Sequence, residues 1–65
     1  MKKIMMGKDG FEILAPINGG WEHFSGPYQW KELVHYLTNA PIEEDYVLGE
    51  NVSTRDANNI RQVLF

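Results

Sequence analysis

Gly19-Gly20-Trp21-Glu22-His23-Phe24-Ser25-Gly26-Pro27-Tyr28-Gln29-Trp30 carries four of the chain's eight aromatic side chains and both of its tryptophans. A chain of 65 residues has little core to build, and aromatic side chains dominate the energetics of cores and interfaces alike. The segment is therefore either the centre of the fold or the surface that meets a partner. Asn18-Gly19-Gly20 reads as a turn or hinge, which leaves Trp21 and Phe24 in a loop between Gly20 and Gly26. Exposed aromatic rings are costly unless they are used, and loops carry a large share of function. Trp21, Phe24 and Tyr28 are on this basis the candidate protein-binding residues, since Trp and Tyr concentrate binding energy.

Upstream of that stretch, residues 2–6 and 11–17 are apolar-rich runs around Gly7-Lys8-Asp9-Gly10, the pattern of a β-hairpin whose turn needs a residue tolerant of positive φ. In the second run Phe11, Ile13 and Ala15 share one face, with Glu12 and Leu14 on the other. Pro16 cannot donate to a strand ladder and marks an edge or an end. Downstream, Pro27 suits the first position of a helix. Trp30, Leu33, Val34 and Leu37 then repeat at helical spacing, which predicts one buried stripe and assigns Trp30 to the core. Asn39-Ala40-Pro41 stops this helix. Residues 42–48 read either as a short helix, acidic in its first turn, or as a strand at Tyr46-Val47-Leu48. A second helix over 53–64 is marked by Ser53 and Asp56 at capping-box spacing and by Val52 and Ala57 at the staple positions. The sequence thus predicts one small domain over 1–65 of α+β class. An N-terminal β-hairpin packs against a central helix, a second capped helix lies at the C-terminus, and a short helix or strand lies between them.

Composition narrows the function classes. With no cysteine there is no disulfide or thiolate-metal staple, so homo-oligomer formation or partner binding is a natural source of stability for so small a core. The short apolar run Ile4-Met5-Met6 is broken at Gly7 and predicts neither a signal peptide nor a membrane span, which makes a cytoplasmic location the default. The net charge of −3 comes with no basic stripe, which disfavours nucleic acid as a partner. The nucleic-acid alternative rests on the polar face of the last helix, Arg55, Asn58, Asn59, Arg61 and Gln62, read as the recognition element of a helix-turn-helix. Glu43, Glu44 and Asp45 lack the register of a calcium loop and read instead as an electrostatic patch that steers a partner.

Glu32 and His35, with His23, form at most a fragment of a metal set, so no metal and no cofactor is expected. Ser25, Thr38, Ser53 and Thr54 have no nucleophile elbow around them, and the Gly7-Lys8-Asp9-Gly10 turn lacks the pattern of a phosphate loop. The sequence reading is a non-enzymatic protein-binding module of the size of a bacterial or phage accessory protein, acting as a regulator, inhibitor or adaptor through an aromatic loop and an acidic patch. A self-associating structural protein is the other alternative.

Overall fold

The computed structural model describes residues 1–39 and 45–64. Six elements follow one another: β1 Lys2–Gly7, β2 Gly10–Ile17, β3 Gly20–Tyr28, α1 Trp30–Thr38, β4 Tyr46–Leu48 and α2 Thr54–Leu64. The four strands form one sheet in the order β3-β2-β1-β4. β1, β2 and β3 are an antiparallel meander, and β4 joins β1 in parallel. The α+β class, the first hairpin and both helices are as the sequence predicts; of the ambiguous element 42–48, Tyr46–Leu48 form a strand, and residues 42–44 lie outside the described residues.

The sheet has one more antiparallel strand than the sequence reading allows, because the aromatic stretch is not a loop. Asn18 and Gly19 take φ of 50° and 80°, the positive values that a two-residue hairpin turn requires at both central positions. Ile17 faces Gly20 directly across that turn, so the chain folds back as β3. The strand then slips twice in register against β2, once on each side of Ile13. Its inward and outward side chains therefore stop alternating evenly, which hides it from a search for period two. Pro27 lies at the end of this strand, after a cis Gly26–Pro27 peptide, and not in a helix.

Helix α1 starts three residues later than Pro27 suggests. The Gln29 backbone N–H donates to Glu32 Oε1 at 2.9 Å, which supplies one partner for the free donors of a helix start. The Gln29 side-chain amide donates to the Asp9 carbonyl at 3.2 Å and ties the helix start to the first hairpin. At the other end the Asn39 and Thr38 side chains both donate to the His35 carbonyl, at 2.7 and 3.0 Å. For α2 the expected cap is present, with the Asp56 N–H donating to Ser53 Oγ at 3.1 Å.

Both helices pack on one side of the sheet. Ile4, Phe11 and Ile13 from the strands meet Leu33, Leu37 and Ile60 from the helices in the core, with Met6, Tyr28, Tyr46 and Leu48 around them. Paired residues share a face, and the register agrees: Ile4 pairs with Ile13 and Leu48, and Phe11 pairs with Met6 and Tyr28. The molecule measures 30 × 27 × 18 Å, and its short axis matches two packed layers, one sheet and one of helices. Trp30 corrects the expectation from helical spacing. It stands in the first turn at the rim of the layer, its ring 6.1 Å from Phe11 but 38% exposed, while Leu33 and Leu37 are buried. No helix among the described residues is long and apolar enough to cross a membrane.

Candidate binding surface

The opposite face of the sheet follows from the same register. Lys3 pairs with Leu14 and Val47, Met5 with Glu12, Leu14 with His23, and Pro16 with Trp21. None of these residues belongs to the core cluster. Because strands i and j pair directly while residues two apart share a face, Met5, Leu14 and Trp21 lie on one diagonal of the pairing lattice. Diagonal neighbours are about 7–8 Å apart, within reach of long and aromatic side chains. An apolar stripe therefore crosses three strands on the side away from the helices, with Pro16 and Lys3 on one flank and His23 and Glu12 on the other. Trp21 is 39% exposed, and Met5 and Leu14 are half-buried by their sheet neighbours.

The structure divides the predicted aromatic patch. Trp21 is on the open face, where the Lys3 ammonium lies 5.5 Å from its ring. Phe24 falls in the register slip on the helix side, beyond the reach of the helices, and is 55% exposed. The Lys2 ammonium lies 4.7 Å from its ring, so two consecutive lysines cap two rings on opposite faces, contacts of the cation–π kind. Tyr28 belongs to neither surface. Its ring packs 5.5 Å from that of Tyr36, its hydroxyl bonds Ser25 Oγ, and it borders the core. Periodicity within a strand separates Trp21 from Phe24; a loop would have let them converge.

Asp45 is exposed just before β4, and its carbonyl accepts the Lys2 backbone N–H at 2.9 Å. It therefore sits at the same end of the sheet as Trp21, three strand spacings or about 14 Å away. Glu43 and Glu44 lie outside the described residues. On the open face His23 Nε2 approaches Glu12 Oε1 at 3.9 Å and the Gly26 carbonyl at 3.2 Å. This ties His23 to β2 and β3, whereas Glu32 caps α1. His35 shares with Glu32, Tyr28, Lys31 and Tyr36 a shallow groove of about 430 Å³. Among the described residues no three His, Cys, Asp or Glu groups come together as metal ligands would. Ser53 and Thr38 spend their hydroxyls on helix ends.

The polar face of α2 is laid out as the sequence suggests: Arg55, Asn58, Arg61 and Gln62 are exposed and Asn59 is half-buried. Arg61 Nη1 donates to Asn58 Oδ1 at 3.3 Å. The element before α2 is β4, however, so 45–64 do not form a helix-turn-helix. One residue with no signal in the sequence to single it out links the turn after β4 to β1. The Asn51 side-chain amide donates to the Met6 carbonyl and accepts the Met6 N–H at 3.4 Å, continuing the ladder where β4 has stopped.

Tyr46, at the start of β4, carries a buried hydroxyl with no partner in hydrogen-bonding geometry among the described residues. Burial, reinforced by the neighbouring Tyr36 phenol, pushes its pKa from 10.0 up to about 12. The folded state thus holds this proton more tightly than the unfolded chain, so stability falls as pH rises from about 10 to about 12. Tyr46→Phe is expected to melt at or above the wild-type temperature at pH 7, because an unpaired buried group is removed. It should also lose less stability than wild type between pH 9 and pH 11. Melting curves at the three pH values check both, and an equal alkaline loss in the two proteins would contradict the assignment.

No protein-family model, curated protein or solved structure matches the chain.

Proposed function

We propose that the chain is a non-enzymatic protein-binding module, of the kind that serves as a small regulator, inhibitor or adaptor, and that it docks through the helix-free face of its sheet. One observation carries the reading: among the described strand-paired residues, the side chains that point away from the helices are Met5, Leu14, Pro16, Trp21 and Val47 with only Lys3, Glu12 and His23 among them. A solvated face of an antiparallel sheet normally alternates with polar side chains. The occupant this face fits is a protein surface with an apolar centre and a charged rim. Negative charge at Asp45, with Glu43 and Glu44 beside it in sequence, adds steering at the edge of the sheet.

A photo-crosslinking residue placed at Leu14 tests this, with the same residue at Asn58 on α2 as the control. A discrete protein adduct from position 14, absent from position 58 and lost when Trp21→Ala is added, is the expected result. Circular dichroism should show both labelled proteins folded. Equal adducts from both positions, or none from position 14, would sink the proposal.

A further inference from the structure

We infer that the protein seated on the open face is a second copy of this chain, related by a twofold axis along the Met5–Leu14–Trp21 diagonal. The inference rests on the reading of that face as a protein-binding surface and adds the identity of the partner. Lys3 pairs with Leu14 and Met5 pairs with Glu12, so these four residues mark the corners of one cell of the sheet lattice. Lys3 and Glu12 occupy opposite corners, and Leu14 and Met5 occupy the other two. The cell measures about 4.8 Å across the strands and about 6.7 Å along them.

A closed dimer requires a self-complementary patch, in which residue i meets residue j and j meets i. Rotation about an axis lying in the interface along the Leu14–Met5 diagonal satisfies this. It lays the apolar stripe on itself and sets Lys3 over Glu12 of the second copy, and Glu12 over its Lys3. Trp21 falls on the same line and meets its own counterpart. The diagonal is inclined about 35° to the strands, so the two sheets cross at about 70°, closer to orthogonal than to aligned packing. No other partner is needed to explain why a lysine and a glutamate flank the stripe on opposite sides.

Area is consistent with a second copy and limits its affinity. The strands β1, β2, β3 and β4, of 6, 8, 9 and 3 residues and about 4.8 Å apart, offer roughly 400 Å² of plane per copy. The two copies together then bury about 800 Å², the size of a weak, transient contact and not of a stable interface. A concentration-dependent dimer with a dissociation constant on the order of 10–100 µM is expected. The product is a sheet-on-sheet sandwich with the helices outside.

Sedimentation equilibrium from low to high micromolar concentration tests the inference on the wild type and on three charge variants. Lys3→Glu and Glu12→Lys should each weaken dimerisation at least tenfold by setting like charges together, and the double variant should recover most of the loss. Such rescue is specific to a contact between copies, because each single change also disturbs a local contact within the chain. A wild type that stays monomeric at 500 µM would overturn the inference, as would a double variant no better than the singles. Monomer throughout, with a heterologous adduct still formed at Leu14, removes the second copy and leaves the binding face standing. Monomer throughout with no adduct at Leu14 removes both.

Discussion

Gly26→Ala is expected to destabilise the domain by about 3 kcal/mol, or roughly 12–24 °C in melting temperature for a chain of this size. Gly26 has φ of 105°, a conformation that costs an L side chain on the order of 1–3 kcal/mol. A Cβ there would also lie 2.7 Å from the Phe11 carbonyl oxygen and 3.2 Å from the Glu12 Cα. Both are backbone atoms of β2, and Phe11 is part of the core, so relief requires the strand itself to move. Gly19→Ala is the control. It has a positive φ of 80° but nothing within 4 Å of the added carbon, so only the conformational cost of about 1–2 kcal/mol applies. Thermal denaturation of the two variants separates the steric contribution from the conformational one. Equal losses would mean that β2 and β3 do not approach each other closely at Gly26.

Ile13→Ala should cost about 2–5 kcal/mol, the usual range for removing a large aliphatic side chain from a packed core. Ile13 is fully buried, its strand partner Ile4 is equally so, and the helices contribute Leu33 and Ile60 with no exposure. A domain of 65 residues has a total stability of about 3–10 kcal/mol, so this one change removes much of it. Leu14, the next residue along β2, points the other way. Leu14→Ala should cost less than about 1 kcal/mol at protein concentrations near 0.5 µM, where little dimer is present. Urea midpoints measured on the two variants compare the two faces of one strand. Similar losses at Ile13 and Leu14 in dilute protein would contradict a sheet covered by helices on one side alone.

How much of this was legible in the sequence differs from element to element. The first hairpin, α1 and α2 are encoded locally, by turn chemistry, by apolar residues repeating at helical spacing and by the Ser53 cap, and each appears where those signals lie. β3 was missed although Asn18-Gly19 is the strongest short hairpin signal in the chain. The glycines and the proline in the following segment suggested a loop, and the register slips around Phe24 and Gly26 erased the alternation that would have outweighed them. Trp30 fits the helical stripe by number, but its place in the first turn puts it over the rim of the sheet, a matter of where the helix starts relative to β2. The placement of Leu14 opposite Ile13 was already visible from strand alternation. That the Leu14 side of the sheet carries no helix among the described residues was not.

By itself, then, the sequence determined the class of the fold, the positions of most of its elements and the division of β2 into two faces. These depend on interactions among residues only a few positions apart. The tertiary structure decided what those faces are for. It put both helices on one side, assigned Trp21 to the open side and Phe24 to the other, and aligned Met5, Leu14 and Trp21 across three strands. That alignment depends on the register between strands, which is set by turns and by slips in pairing. A shift of one residue sends every side chain to the opposite face, so no pattern within a single strand could have specified it.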